Sequence, residues 1–271
     1  MSLRERLYDM RRGSAKAHYD EGQLPAPLVE MLSDEDLSHL NQLLPWHCFT
    51  VDRQGRPFGR PAWQGKRDKP EQIPDRRIAL FDERFGLGDK HVLEVGCFEG
   101  IHTIALCDRA SRVTAIDGRI ENVVKTIVRC SLFERRPTVF VCDLERPEAQ
   151  EDRLRADLCH HMGVLYHLAD PVRHLRQLGS WIGQGLMLDT HYATPDDADA
   201  SYEVDGRTFR CRTFGERRSD PFSGMLSHSR WILLDDIVDV LGEAGFGTID
   251  VVEERAERNG ARMLLFAGKE T

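Results

Sequence analysis

The chain has 271 residues, of which 41% are hydrophobic and 30% charged, with a formal net charge of −8. That length holds one large domain or a core domain with insertions, and the composition excludes a fibrous or disordered chain. The acidic balance disfavours a broad basic surface for nucleic acid, and no apolar stretch reaches the roughly 20 residues that span a bilayer.

The N-terminus lacks the apolar segment of a secretory signal. The seven cysteines are scattered without a CxxC pair, which fits a reducing, cytoplasmic setting better than a disulfide framework. They share no close ligand spacing with the histidines, so no metal site is expected.

Residues 1–45 read as helical. Pro25 and Pro27 separate an early polar helix from one in which Leu37, Leu40 and Leu44 share a face, with Ser33 or Asp34 as its cap. Residues 46–75 are irregular; Asp52-Arg53-Gln54-Gly55 predicts a hairpin turn, and Trp46 and Trp63 argue for order. Residues 1–75 are therefore expected to cap a main domain over 76–271.

A βα alternation follows. Helices are predicted over 76–85, 101–110, 120–132 and 171–178, and strands over 91–95, 112–116, 138–141, 158–162 and 185–189. Such alternation implies a mainly parallel, doubly wound sheet covered on both faces. Residues 192–229 interrupt it with a hairpin turning at Asp205-Gly206, too polar for core and placed to face a substrate. A final helix is predicted from Trp231 to Leu241, then strands over 248–252 and 262–266 joined at Asn259-Gly260. That closing hairpin puts an antiparallel strand into the sheet, making seven strands in all.

The stretch Leu93-Glu94-Val95-Gly96-Cys97-Phe98-Glu99-Gly100 ends a predicted strand and opens a helix. Gly96 and Gly100 let the backbone turn tightly and approach a ligand. The dinucleotide pattern G-x-G-x-x-G fails, because Phe98 and Ile101 stand where its second and third glycines belong, and no P-loop ending is present. Asp117 lies 21 positions after Gly96, at the end of the next strand. A carboxylate there suits the ribose hydroxyls of NAD and of S-adenosylmethionine alike. Asp143 ends the third strand, placed to accept an adenine amino proton, with Leu144 packing beside it.

On these residues the chain resembles the class I S-adenosylmethionine-dependent methyltransferases over residues 75–191 and 231–268. The resemblance implies a Rossmann-like methyltransferase fold with S-adenosyl-L-methionine as cofactor. It implies cofactor contacts by Glu94, Gly96, Cys97, Phe98, Gly100, Asp117, Gly118, Asp143, Leu144 and Met162, with Glu94 near the methionine moiety. Phe98 departs from the family, which usually has glycine there. The segment Met162-Gly163-Val164-Leu165-Tyr166-His167 further resembles the tRNA wobble-uridine carboxymethyltransferase branch. There Tyr166, with Trp63 and Lys66 as candidates for the upstream Trp and Lys, would hold a carboxylated cofactor.

Methyl transfer needs alignment of donor and acceptor and, for a hydroxyl acceptor, a base. His167 and His191 follow the fourth and fifth strands and are the candidates for that base, since imidazole titrates near neutrality. Tyr166 is the candidate for positioning substrate or the cofactor sulfonium. His160 and His161 are expected to pack. Arg207, Arg210, Arg212, Arg217 and Arg218 either recognise an anion or form a charged surface hairpin balanced by Glu203, Glu216 and Asp220. The expected acceptor is a small polar metabolite or natural-product intermediate. A nucleic-acid acceptor, a homodimer, and a non-catalytic partner protein retaining the fold remain as alternatives.

Overall fold

The computed structural model describes residues 32–59 and 69–270. The early polar helix, Trp63 and Lys66 lie outside the described residues.

Helix α1 (Asp34–Leu43) starts where expected. The Ser33 hydroxyl accepts from the Asp36 amide at 3.1 Å, and three acidic residues occupy the first turn, where the helix dipole favours negative charge. Strands β1 (Phe49–Val51) and β2 (Pro57–Gly59) pair antiparallel. The Asp52 carboxylate closes their turn by accepting from the Gln54 and Arg56 amides at 3.0 and 2.8 Å. Leu37, Trp46, Phe58 and Leu132 form a small apolar cluster that fixes this N-terminal unit to the main domain.

The main domain runs α2 (Arg76–Phe85), β3 (His91–Val95), α3 (Ile101–Cys107), β4 (Arg112–Asp117), α4 (Ile120–Leu132), β5 (Thr138–Val141), β6 (Ala156–Met162), α5 (Pro171–Trp181) and β7 (Ile182–His191). After an insertion come α6 (Leu234–Glu243), β11 (Thr248–Glu257) and β12 (Gly260–Gly268). The seven-stranded sheet has the order β11-β12-β7-β6-β3-β4-β5. Strand β12 runs antiparallel to both neighbours, and β3 to β7 pair in parallel.

Strands β3, β6 and β7 are buried over most of their length because both faces of the sheet are covered. Side chains alternate between the two cores. Leu93, Leu186, Leu188 and Leu265 join the core that also holds Leu175 and Val240, whereas Val92, Met187, Leu264 and Phe266 join the one that holds Phe81.

The insertion forms its own three-stranded antiparallel sheet from β8 (Ala200–Val204), β9 (Arg207–Gly215) and β10 (His228–Ile232). Asp205 and Gly206, both at positive φ, make the turn. Two expectations are corrected here. Trp231 does not open the final helix; it pairs with Arg212 in β10, and the helix starts at Leu234. The hairpin is also not free of core, since Phe209 and Cys211 are fully buried against the main domain. For Trp231, cross-strand pairing outweighs the local helical pattern; for Phe209 and Cys211, packing against the main-domain core does.

Candidate functional site

In open α/β sheets the ligand crevice lies beyond the strand carboxyl ends where the strand order reverses, which here is between β3 and β6. A cavity of about 500 Å³ opens there, within the usual range for small-molecule sites.

The loop after β3 builds one wall. Gly96, Phe98 and Gly100 all have positive φ. A Cβ on Gly96 would run into Val164 Cγ2, and one on Gly100 would press on the Thr126 backbone, so both positions need glycine. The Gly96 and Cys97 amides donate to the Ile116 carbonyl, each at 2.9 Å. Phe98 tolerates its left-handed conformation because its amide donates to Asp117 Oδ2 at 3.1 Å. Its ring packs on Phe222 and His47 at centroid distances of 5.1 and 6.1 Å. Cys97 lines the cavity, and burial pushes its thiol well above its ordinary value.

Asp117 ends β4 at the cavity. Its Oδ1 accepts from the Arg119 amide at 2.9 Å and from Asn122 Nδ2 at 3.0 Å. Burial raises its pKa against these donors. Gly118, Asp143, Leu144 and Met162 continue the wall; Asp143 Oδ1 accepts from the Glu145 amide at 3.0 Å. Two sequence candidates sit behind the wall. Gly100 caps α3. Glu94 is buried and accepts from Thr103 Oγ1 at 2.5 Å, with its pKa pushed up to about 8 by burial.

The histidines separate. His167 lines the cavity, and its Nδ1 lies 2.8 Å from Glu216 Oε1. Glu216 also accepts from Ser229 Oγ and the Gly224 amide, at 2.8 and 2.7 Å, and from Ser223 Oγ. Burial alone would raise its pKa, but His167 and the other donors bring it down to about 2. Tyr166 lines the cavity beside His167, with ring centroids 4.2 Å apart. His191 lies behind Tyr166, stacked on Trp231 at 4.7 Å, with Nδ1 3.1 Å from the Ala261 carbonyl. It does not reach the cavity wall. His160 and His161 are buried in β6, where His161 Nε2 lies 2.9 Å from His174 Nε2.

Sequence reasoning missed three parts of this site. The first is Glu99, inside the glycine loop and fully buried. It accepts from the His47 and Cys48 amides at 2.9 and 2.7 Å and from Lys125 Nζ at 2.8 Å. The second is the β9–β10 connection. Pro221 to Met225 line the cavity, Met225 covers Gly118, and Arg119 donates to the Ser223 and Gly224 carbonyls at 2.8 and 3.2 Å. The third is Glu216 as partner of His167. Of the insertion arginines, Arg207 pairs with Asp236, Asp239 and Glu243, Arg212 pairs with Asp197, and Arg210 donates to the Pro195 carbonyl.

No protein-family model matches the sequence, and no curated protein matches it either. Solved structures do. The N-terminal domain of EvdMO1, crystallised in the presence of SAH and D-fucose, superposes with a TM-score of 0.69 at 22% identity, covering 88% of this chain and 98% of that domain. Against EvdMO1 as a whole the match covers 87% of this chain and 47% of that one, at 21% identity and a TM-score of 0.61. Magnesium protoporphyrin IX methyltransferase (ChlM) from Synechocystis PCC 6803, with SAM bound, gives a TM-score of 0.51 at 17% identity, covering 72% of this chain and 76% of that one. The chain has the fold of the SAM-dependent methyltransferases. At these identities the likeness is one of fold. Among the described residues no helix is long and apolar enough to cross a membrane.

Proposed function

We propose that this chain transfers the methyl group of S-adenosylmethionine to a hydroxyl of a small polar acceptor, with His167 as the base. The observation that carries the reading is His167, in the wall of the same cavity that Asp117 and the glycine loop enter, held at Nδ1 by Glu216.

The donor set fits the cofactor. The Asp117 carboxylate offers about four acceptor positions, and three are filled by Phe98, Arg119 and Asn122, which aim the carboxylate and leave room for a ribose hydroxyl. Ile116, Leu144 and Met162 give apolar surface for an adenine ring. Asp143 is within the same wall for its amino group. Phe98 does not make the loop unfit for a ligand, because Asp117 and Phe222 accommodate it in place; this weighs against a non-catalytic role.

S-adenosylmethionine supplies an electrophilic methyl group on a sulfonium. The protein must then present a hydroxyl in line and take its proton. With Nδ1 held by Glu216, the His167 Nε2 is left to accept that proton, and the Glu216 carboxylate stabilises the imidazolium formed. Tyr166 packs against the His167 ring and fixes its tilt. The presence of D-fucose in the EvdMO1 crystals supports a sugar or similar polyol as the acceptor class. An RNA acceptor has less support: the net charge is −8, and Arg207 and Arg212 of the insertion are paired internally.

The test is turnover. The protein is incubated with S-adenosylmethionine and a panel of deoxysugars, hydroxy acids and sugar phosphates, and release of S-adenosylhomocysteine is followed. We expect acceptor-dependent release in the wild type, reduced roughly 10²–10⁴-fold in His167→Ala. Absence of S-adenosylhomocysteine binding by folded protein would end the methyl-transfer reading. Full activity of His167→Ala would end the assignment of the base.

A further inference from the structure

We propose that Arg77, Arg255 and Arg262, gathered on the buried carboxylate of Asp189, form a subsite for an oxyanion, carboxylate or phosphate, carried by the acceptor. The word acceptor rests on the methyl-transfer reading above; the subsite itself does not.

The three arginines come from α2, β11 and β12 and converge on one fully buried residue. Asp189 Oδ1 accepts from Arg262 Nε at 2.5 Å, and Oδ2 accepts from Arg255 Nη2 at 2.9 Å and Arg77 Nη1 at 3.1 Å. Arg77, Arg255 and Arg262 all line the cavity, and Asp189 does not. From the cavity, then, the wall presents three positive groups, with Asp75 and Glu257 beside them and the third balancing charge hidden behind. Satisfying a buried aspartate does not require three arginines. One bidentate guanidinium would do.

Donors outnumber acceptors here. Each guanidinium has five N–H groups. Arg77 commits two nitrogens to Asp75, at 2.9 Å each, and one to Asp189. Arg255 spends Nε on Glu257 at 2.8 Å and Nη2 on Asp189, and its Nη1 lies 3.6 Å from Glu253. Arg262 places both Nε and Nη2 on Asp189 Oδ1, at 2.5 Å each, and its Nη1 lies 3.6 Å from Glu257. Several N–H groups are thus left for a ligand, on forks already immobilised by Asp189. Such preorganisation is what makes arginine pairs selective for oxyanions.

The location also suits an acceptor. The Arg262 guanidinium carbon lies 5.6 Å from the Tyr166 ring centroid, and Tyr166 touches His167. An oxyanion held by Arg255 and Arg262 would therefore sit about one small molecule's length from the base. A hydroxy acid or a phosphorylated polyol has this layout.

The test uses the full chain with inorganic phosphate and acetate as probes, titrated calorimetrically with and without saturating S-adenosylhomocysteine. We expect saturable millimolar binding of at least one probe, weakened tenfold or more in Arg255→Gln and Arg262→Gln. Arg255→Lys, which keeps the charge and loses the fork, should weaken it less. Arg84→Gln, an exposed position on α2, should leave it unchanged, and thermal unfolding reports whether each variant is folded. The tighter probe distinguishes phosphate from carboxylate. Binding that is absent in the wild type, or equal in wild type and glutamine variants, overturns the proposal. So does competition between probe and S-adenosylhomocysteine, which would assign the arginines to the cofactor's own carboxylate. Failure of S-adenosylhomocysteine to bind sinks the methyl-transfer reading alone, because the titrations without it still decide the oxyanion subsite.

Discussion

Glu216 Oε1 lies 2.8 Å from His167 Nδ1, although the two residues are 49 positions apart. His167 belongs to the turn after β6, and Glu216 to the segment after β9 that also covers the cavity. Glu216 accepts from the Gly224 amide within that cover, while Arg119, next to Asp117 and Gly118, donates to its Ser223 and Gly224 carbonyls. The proposed base and the proposed ribose site are thereby tied to one covering segment.

Glu216→Gln should lower turnover about 10–100-fold with little change in S-adenosylhomocysteine affinity, since a neutral partner stabilises imidazolium less. A pH dependence follows from its shift. The folded pKa of about 2 lies below the ordinary 4.5, so this carboxylate contributes stability that is present above pH 4.5 and lost as pH falls toward 2. The stability gap between wild type and Glu216→Gln should stay constant from pH 7 to 5 and close below 4.5. Chemical denaturation at several pH values measures it; a gap that persists at pH 2 contradicts the pairing.

Asp117→Ala should weaken S-adenosylhomocysteine binding about 10–100-fold, the value of one or two hydrogen bonds to a charged group. Part of that loss comes from the loop, because Phe98 and Arg119 both donate to this carboxylate. Asp117→Asn keeps the shape and should fall between wild type and alanine. Calorimetric titration of the three proteins ranks them, and any other order removes Asp117 from the site.

What could be read in advance follows the range of the interactions. The glycine loop and Asp117 were legible because strand period, turn glycines and strand-end acidity are all local. The β8–β9 turn was legible for the same reason, since Asp205-Gly206 takes positive φ wherever it stands. Trp231 was not, because its place in β10 depends on pairing with Arg212. Glu99, Lys125 and Arg129 were not either: a charged residue that the fold buries, in the glycine loop or on α4, looks in sequence like a solvated one. His191 has the same neighbours in sequence whether it points to a cavity or stacks on Trp231. Glu216 read as one more acid among the insertion arginines, and only the fold brings it to His167.

Glu99→Gln should destabilise the protein by about 3–5 kcal/mol, the cost of breaking a buried ion pair and stranding its partner. Lys125 and Arg129 are both buried beside it; Arg129 further donates to the Glu99 carbonyl at 2.7 Å and Thr50 Oγ1 at 2.6 Å. At this chain length the loss corresponds to a fall of roughly 10 °C in Tm. The N-terminal unit hangs on the same carboxylate through the His47 and Cys48 amides, so limited proteolysis should cut first between residues 44 and 59 in the variant. A Tm within 2 °C of wild type, read by calorimetric melting, would falsify the clamp.

Glu94 should make the protein less stable as pH rises. Burial lifts its pKa to about 8 from 4.5, so the folded state holds a proton that the unfolded state has released between those values. Its stabilising contribution is complete below pH 4.5, declines from there upward, and is gone beyond pH 8. Glu94→Gln keeps an acceptor for Thr103 Oγ1 without the titrating proton. Its Tm should therefore lie close to wild type at pH 5 and rise progressively above it by pH 8. Parallel melts without ligand at pH 5, 6.5 and 8 decide this: a difference that does not change with pH means that Glu94 is already ionised in the folded protein, and its contact with Thr103 is then a charged one.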